Sequence, residues 1–559
     1  MRPAVGGKRS FLSREVSLGV FQEMPGHHVR RVGKTGRVGR PSCTKEKSAE
    51  AIVPAGTRIS REGPNARVRG SLVVLVKEAM MAANPEDGAF ADGQTVKPDA
   101  PRKERSPFPA AAGFDPHPAP ANLWESFLSR GNLARALKRV EANAGAPGPD
   151  GMRTEDLRPW LHAHWPEVRT RLYAGTYRPQ PVRRVYIPKP GRKVRPLGVP
   201  TVLDRLIQQA LLQVLTPIFD PHFADQSYGF RPGRSAHQAV GRAQDAIASG
   251  HTWVVDLDLE AFFDRVNHDA LMARVARRVA DKQVLKLLRA YLNAGVMQDG
   301  VKVAQEEGTP QGSPLSPLLA NIMLDDLDKE LSARGHGFVR YADDIMIYVK
   351  SERAGKRIMV STKRFVEERL KLRISEAKSA VAPATSRPFL GFAFYVRDGE
   401  VKVRLDPKAK QAVKMRLRRL TKRNWRVSMA VRIGALNRFS RGWTAYFALA
   451  DTPSVFAELD EWLRRRLRQV RWKEWKKSRG RYRGLVAQGI PAWQARKWAA
   501  SGRGCWRIAG SAILQRALPN TYWESQGLAG FSGLYRQLRD ARRTAGCGPA
   551  CPVVWEGPG

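Results

Sequence analysis

The chain has 559 residues, more than one hydrophobic core usually organises, so we expect several domains. Its 96 Lys and Arg outnumber its 52 Asp and Glu, and so high a net charge (+44) most often means nucleic-acid binding. An anionic membrane surface and ribosomal packing are the alternatives. No apolar run approaches the ~20 residues that a membrane-spanning helix requires, which predicts a soluble protein.

The N-terminal extension, residues 1–119, is rich in Arg, Gly, Pro and Ala, a composition typical of disordered segments. Because Met80 and Met81 precede the first regular pattern, either is a candidate for the true start of translation.

The chain has four cysteines, Cys43, Cys505, Cys547 and Cys551. These are too few to stabilise a chain of this length by disulfides, which fits a reducing compartment. Only Cys547 and Cys551 are neighbours in the sequence. A structural zinc site usually needs two such pairs, so we expect no zinc.

The first regular pattern predicts short helices between residues 122 and 137, followed by a Gly/Pro turn at 145–151. Residues 182–188 and 193–199 have strand-like composition and flank the basic segment 189–192. This arrangement predicts a hairpin with a basic tip.

The middle of the chain contains three further predicted elements. Residues 254–259 are predicted to form a buried strand. Ser316 and Pro317 predict the start of a helix, with Ser316 as its N-cap and Pro317 at the first helical position. Residues 337–349 are predicted to form a second hairpin, in which apolar residues alternate after the turn.

Beyond Asp406 the pattern is helical and strongly basic. Between residues 456 and 470 apolar side chains recur at helical spacing while arginines occupy other faces. One such helix can pack against a core and bind phosphate at the same time.

The turn of the second hairpin reads Tyr341-Ala342-Asp343-Asp344, and we call it the acidic turn. Two adjacent acids repel each other unless cations neutralise them. Carboxylate oxygens suit Mg²⁺, which also keeps waters and substrate phosphates as ligands. The alternative is an ordinary surface turn.

The predicted strand at 254–259 supplies a second source of carboxylates, because Asp256 and Asp258 share one face. Periodicity alone leaves either of them as a metal ligand. One of them beside Asp343 would complete a two-metal site that aligns an attacking 3′-hydroxyl and stabilises the departing pyrophosphate. The alternative roles are caps or salt-bridge partners.

The order of these features, basic hairpin, acidic strand, Gly/Pro loop with helix and acidic hairpin, resembles the fingers and palm of reverse transcriptases. The resemblance is closest to group II intron proteins and covers most of residues 120–559. Residues 195–200 resemble the fingers motif, 229–235 a following signature, and 308–317 the loop beneath the incoming nucleotide. This loop has Ser313 where the family commonly has glycine, and we expect activity to survive because serine is small.

The resemblance implies an α+β right-hand polymerase, in which fingers and a palm with an antiparallel sheet precede an α-helical thumb/maturase domain and a basic C-terminal DNA-binding region. The implied boundaries are 1–119 for the N-terminal extension, 120–215 for the fingers, 216–400 for the palm, 401–480 for the thumb or maturase domain X and 481–559 for the DNA-binding region.

The family's catalytic aspartate lies five residues before an aromatic, which selects Asp258 with Phe263 and leaves Asp256 as the alternative. The implied catalytic residues, which would bind two Mg²⁺ ions, are Asp258, Asp343 and Asp344. Phe263 would stand against the sugar and exclude a 2′-hydroxyl, unless it is an ordinary core residue. The residues implied to bind the deoxynucleoside triphosphate are Lys189, Arg195, Phe263, Gln311 and Lys378.

Three of these residues are basic, and each has a specific implied role. Lys189 and Arg195 match positions that contact the triphosphate, where charge-assisted hydrogen bonds would offset its charge. Lys378 resembles a palm lysine that helps to protonate pyrophosphate. The alternative for all three is a solvated surface charge.

Residues 441–447 resemble the maturase-specific thumb that binds intron RNA, and 471–483 its continuation toward the DNA-binding region. Basic side chains beside aromatic rings bind phosphate and stack on unpaired bases, although Trp443 and Phe447 also fit a helix core. The candidate nucleic-acid-binding residues are Arg441, Trp443, Arg464, Arg468, Arg471, Lys476, Arg481 and Arg483. Some members of the family end in a nuclease rich in histidine and paired cysteine. The histidines are missing near Cys547 and Cys551, so we expect no DNA-cleaving domain.

The expected function is RNA-directed DNA polymerisation plus assistance to splicing of the parent intron, in the bacterial cytoplasm with the nucleoid. The expected partners are intron RNA as template and splicing partner, target DNA and deoxynucleoside triphosphates, with no membrane and a homodimer as one candidate assembly. A retron or diversity-generating enzyme is the alternative of the same chemistry. A non-catalytic RNA-binding splicing factor is the alternative from another class, disfavoured by the intact Asp258, Asp343 and Asp344.

Overall fold

The computed structural model describes residues 122–188, 194–298, 301–303, 308–309 and 312–544. The expectations for residues 1–119, Lys189, Gln311, Cys547 and Cys551 lie outside these ranges. Within the described part, no helix is long and apolar enough to cross a membrane. Cys505, which lies inside these ranges, forms no disulfide.

The first third of the described chain combines a small sheet with helices, most of which share one apolar core. The basic hairpin is confirmed, because its two strands pair antiparallel from Arg183 opposite Val199 to Pro188 opposite Val194. The sheet order is β2-β1-β4-β5, with β1 parallel to β4. The elements are α1 Leu123–Leu128, α2 Arg130–Asn143, α3 Leu157–Tyr173, β1 Val182–Pro188, β2 Val194–Val199, α4 Val202–Phe219, α5 Ala236–Ala248, β3 Trp253–Asp258, α6 His268–Ala276, α7 Lys282–Leu292, β4 Val296–Gln298 and β5 Val301–Val303.

A four-stranded antiparallel sheet, the central sheet, occupies the middle of the chain in the order β6-β7-β3-β8. Both the predicted acidic strand and the second hairpin are confirmed within it. Its elements and the helices between them are α8 Ser316–Ala333, β6 Gly337–Tyr341, β7 Asp344–Val349, α9 Glu352–Glu368 and β8 Ala380–Pro383.

Both faces of the central sheet are covered. On β7, Ile345 and Ile347 belong to the core that includes helices α4 and α8, whereas Met346 and Tyr348 belong to a second core against α5. Every residue of β7 after Asp344 is therefore buried, rather than every second one. The acidic residues are left at the open end of the sheet.

The helix after the Gly/Pro loop begins differently from the prediction. Ser316 is its first residue, Leu315 holds the N-cap position, and no side chain caps it. Ser316 is thus not the N-cap that the sequence predicted, and Pro317 lies in the first turn, where its missing N–H costs no hydrogen bond.

The last third of the described chain is a short hairpin followed by nine helices. Buried residues from Val413 to Tyr535 form one apolar core, so the expected boundary at residue 480 does not coincide with a break in packing. The elements are β9 Phe392–Arg397, β10 Glu400–Leu405, α10 Pro407–Leu420, α11 Met429–Phe447, α12 Pro453–Glu474, α13 Ser478–Ala487, α14 Ala492–Ala499, α15 Cys505–Ala509, α16 Ala512–Ala517, α17 Asn520–Ser525 and α18 Phe531–Thr544.

Candidate active site

The acidic turn is a two-residue connection between β6 and β7. Tyr341 pairs with Asp344 in the ladder, which leaves Ala342 and Asp343 in the bend. Ala342 has φ of 57°, a left-handed conformation that costs energy for a residue with a Cβ. A Cβ on Gly229 would lie 2.3 Å from the Ala342 nitrogen, so only glycine fits there. The signature at 229–235 thus packs directly against the turn.

A buried arginine ties the acidic turn to helix α8. Arg340 donates from Nε and Nη2 to the two carboxylate oxygens of Asp328, and both side chains are fully buried. Its Nη1 donates to Asn321 Oδ1 at 2.9 Å and to the Ala342 carbonyl at 3.0 Å. Asn321 in turn donates to the Gly229 carbonyl at 2.9 Å. This network fixes both sides of the turn.

Strand register brings one of the two candidate strand aspartates to the acidic turn. Asp258 is the direct partner of Asp344 in the β3–β7 ladder. Lys378 Nζ donates to Asp258 Oδ2 at 2.7 Å, and the Asp258 amide donates to Ser379 Oγ at 3.0 Å. The structure therefore groups Asp258, Asp344 and Lys378.

Asp256 lies two residue pairs further into the sheet, opposite Met346. Arg387 donates to Asp256 Oδ2 from Nε at 2.8 Å and also from Nη2. Burial raises the pKa of Asp256, and the hydrogen bonds and charge of Arg387 oppose that rise. Asp256 is thus held in an ion pair and is the weaker candidate for a metal ligand.

The acids of this cluster repel one another. Desolvation by the surrounding protein raises the pKa of Asp344 to about 7, with repulsion from Asp343, Asp258 and Asp256 acting in the same direction. The Asp344 side chain is nevertheless exposed to solvent, which limits its desolvation. Lys378 opposes the rise. A bound cation would favour the ionised carboxylate.

The Gly/Pro loop is attached to the segment after Asp258. The Gly308 amide donates to the Val266 carbonyl at 2.8 Å, and the Thr309 amide to the Phe263 carbonyl at 2.6 Å. Phe263 itself is 8% exposed and packs edge-on against Phe262 at 5.2 Å between ring centroids. Its side chain therefore packs largely in the core beside the loop.

The other end of the same loop reaches the basic hairpin. A Cβ on Gly312 would lie 2.8 Å from the carbonyl oxygen of Gly198 on β2. Ser313, the departure from the family pattern, is buried and donates to Gln208 Oε1 at 2.5 Å. The serine hydroxyl is thus satisfied and the loop keeps its close approach to β2.

Carboxylate oxygens form the right donor set for a hard divalent cation. Among the residues that the structure describes, no three His, Cys, Asp or Glu side chains are grouped closely enough to hold a metal ion by themselves. A metal at the acidic turn would therefore take further ligands from substrate phosphates and water, as Mg²⁺ commonly does.

Comparison with known proteins identifies the family. Residues 187–394 match the family described as reverse transcriptase (RNA-dependent DNA polymerase), and residues 410–489 match the group II intron maturase-specific domain. Over 289 residues the chain is 35% identical to Protein YkfC of Escherichia coli, covering 44% of this chain and 76% of YkfC. The chain belongs to the reverse transcriptase family and carries a group II intron maturase domain.

Two other relatives are intron proteins by name. Group II intron-encoded protein LtrA of Lactococcus lactis subsp. cremoris is 32% identical over 293 residues, 40% of this chain and 49% of LtrA. Nuclear intron maturase 2, mitochondrial, of Arabidopsis thaliana is 29% identical over 27% of this chain and 26% of that protein. The match thus spans about half of LtrA.

A solved partial Cas6-RT-Cas1–Cas2 complex is 26% identical and covers 44% of this chain and 42% of that chain. Its TM-score of 0.30 is too low to support a statement about the fold.

The candidate nucleic-acid-binding residues of this reverse transcriptase differ in their exposure to solvent. Arg441, Lys476 and Arg483 are exposed. Arg468 is buried and donates from Nε to the Leu518 carbonyl at 3.1 Å, so it supports the helical core instead. Trp443 is half-buried, and its ring packs on Phe447, Phe456 and Phe531.

The remaining three candidates are half-buried arginines. Arg464 lies on α12 beside Arg468 and lowers its pKa, after the larger effect of burial. Arg471 pairs with Glu474 at 2.8 Å. Arg481 stacks over the Trp472 ring at 4.8 Å from the ring centroid.

The residues that the sequence reasoning missed are Arg340 and Arg387. A signal for Arg340 was available, since a lone arginine in an otherwise apolar strand needs a buried partner. No local pattern marks Arg387, because its partner Asp256 lies 131 positions away.

The triphosphate candidates Lys189 and Gln311 lie outside the described residues. Arg195 stands on β2 opposite Ile187, and only its backbone is described.

Part of the C-terminal region that the sequence predicted to be basic contains no acids. Residues 475–523 contain ten Lys and Arg and no Asp or Glu. Trp493 in this segment is 70% exposed, and Arg465 lies 4.1 Å from the centroid of the partly exposed Trp506 ring.

Proposed function

We propose that this protein copies RNA into DNA and also binds its parent group II intron RNA to assist splicing and intron mobility. The observation that carries the proposal is the β3–β7 register, which sets Asp258 directly opposite Asp344 with Asp343 in the adjoining bend. Two strands and a turn thereby present three carboxylates at one end of a sheet.

The three carboxylates would hold two Mg²⁺ ions. When bound, such ions align the attacking 3′-hydroxyl and neutralise the departing pyrophosphate. Desolvation and repulsion between the acids raise the pKa of Asp344, and this supports the assignment, since a bound cation stabilises acids so arranged. The ammonium of Lys378, 2.7 Å from Asp258, would donate a proton to pyrophosphate as it leaves.

The right-hand description follows from the same proposal. Residues 120–215 would act as fingers, 216–400 as palm and 401–480 as thumb, with Lys189, Arg195 and Gln311 toward the incoming triphosphate. The contact between Gly312 and Gly198 supports this arrangement, because it places the loop against the basic hairpin. Phe263, anchored beside that loop, would border the sugar.

Intron RNA and target DNA would bind the exposed basic surface of the C-terminal helices. The side chains of Arg441, Lys476 and Arg483 are available for phosphate. The acid-free segment 475–523, which includes Lys476 and Arg483, contains ten Lys and Arg. Trp493 in this segment offers an exposed ring on which an unpaired base can stack.

Primer extension on an RNA template, with purified full-length protein, Mg²⁺ and deoxynucleoside triphosphates, tests the polymerase. Asp343→Asn is expected to abolish extension and to leave binding of intron RNA and splicing assistance intact. The matched control is Asp398→Asn, which changes an exposed aspartate at the β9–β10 turn and should extend like the parent. A folded parent protein that does not extend would favour a non-catalytic splicing factor.

A further inference from the structure

Arg387 connects two residues that flank the acidic cluster. It donates to Asp256 Oδ2 from two of its nitrogens, and Nη2 also donates to the Lys378 carbonyl at 2.8 Å. Lys378 in turn reaches Asp258 with its ammonium group. One guanidinium therefore supports both a neighbouring acid and the lysine that faces the site.

The charge of Asp256 explains why such support is needed. Asp256 and Asp258 point to the same face of β3, because side chains two apart in a strand share a face. Without a partner, Asp256 would be a fourth carboxylate beside Asp258, Asp343 and Asp344. Its side chain is only 17% exposed, so water neutralises it poorly, and Arg387 provides the counter-charge.

We propose that Arg387 is a positioning residue that confines divalent cations to Asp258, Asp343 and Asp344 by occupying Asp256. The proposal rests on the polymerase function proposed above. Freed from Arg387, Asp256 would attract a cation away from the acidic turn, and Lys378 would lose the anchor that holds its backbone at Asp258.

A purely structural role for Arg387 predicts a different outcome. Loss of a structural support weakens metal binding and activity together. Release of Asp256 has opposite effects on the two measurements, because an added carboxylate strengthens cation binding while it misplaces the cation for catalysis.

The experiment measures Mn²⁺ binding by electron paramagnetic resonance, alongside kcat for primer extension, with the full chain. Arg387→Met is expected to bind Mn²⁺ about three-fold more tightly and to lower kcat by roughly ten-fold. Asp256→Asn alone should stay within about two-fold of the parent in both measurements. The double variant Arg387→Met/Asp256→Asn should return Mn²⁺ affinity to the parent value and recover most of the lost kcat.

The matched control is Arg397→Met, which removes an exposed arginine at the end of β9 whose ion pair is with exposed Asp398. It should change neither measurement. Thermal melts of all variants establish that each is folded.

Three results would overturn the proposal: parent-like Mn²⁺ affinity in Arg387→Met, a double variant as impaired as the single one, or loss of extension in Asp256→Asn. The last would make Asp256 a metal ligand. If the parent itself does not extend primers, the proposed function fails, whereas the Mn²⁺ comparison still decides the role of Arg387.

Discussion

The buried pair between Arg340 and Asp328 allows a stability prediction of defined size. Both side chains are fully buried, and Arg340 donates to both carboxylate oxygens. Arg340→Met keeps much of the volume but leaves Asp328 charged and unpaired, which costs about 3–5 kcal/mol. We expect a loss of roughly 4 kcal/mol in the free energy of unfolding, measured by urea denaturation followed by circular dichroism.

The double variant Arg340→Met/Asp328→Leu separates stability from site geometry. Replacing both charges with apolar groups should recover all but about 1–2 kcal/mol, since the Asn321 and Ala342 oxygens still lose a donor. Primer extension should remain impaired in the refolded double variant, because nothing then ties the Ala342 carbonyl to α8.

Two results would refute this reasoning. A loss below about 1 kcal/mol for Arg340→Met would mean that the pair is not desolvated. Full extension by a stable double variant would mean that Arg340 does not hold the acidic turn. The control is Arg277→Met, which removes a half-exposed partner of Asp326 and should cost less than about 1 kcal/mol.

Two further predictions concern the acidic turn. The pKa of Asp344 is raised from 3.8 to about 7, so the folded state binds this proton more tightly than the unfolded state. The resulting contribution to the free energy of unfolding of the metal-free protein is fully present below pH ~4 and is lost as the pH rises through about 7. Solvent screening reduces the effect to about 1–2 kcal/mol. Mg²⁺ should therefore raise the melting temperature more at pH 8 than at pH 5. Equal increases in melting temperature at the two pH values would contradict repulsion between the carboxylates as the source of the effect. Gly229→Ala should slow primer extension by about ten-fold, because its Cβ would lie 2.3 Å from the Ala342 nitrogen. The control is Gly241→Ala, which adds a Cβ in open space. Extension by Gly229→Ala at the parent rate would show that the acidic turn can shift without loss of activity.

The strands, the two hairpins and the acidic motif could be predicted from sequence because each depends on residues only a few positions apart. Alternation of side chains and the Gly/Pro turns mark where strands begin and end. The prediction that Ser316 caps α8 was wrong, because a cap depends on backbone conformation at a single residue, which varies by one position at helix ends.

The composition of the C-terminal region likewise showed that it is basic, but not which arginines face solvent. Arg468 is enclosed by the packing of α12 against residues near Leu518, 50 positions away. Arg441 and Arg483 remain exposed. Helical periodicity on one element does not reveal which of its faces a later helix will cover.

The choice between Asp256 and Asp258 was left open by sequence, since both lie on one face of one strand. Tertiary structure decided their partners: the ladder pairs Asp258 with Asp344, and Arg387 binds Asp256 from 131 positions away. Lys378 reaches Asp258 across 120 positions. Local patterns encode secondary structure, whereas the charge balance of the site depends on contacts between distant segments that only the folded chain brings together.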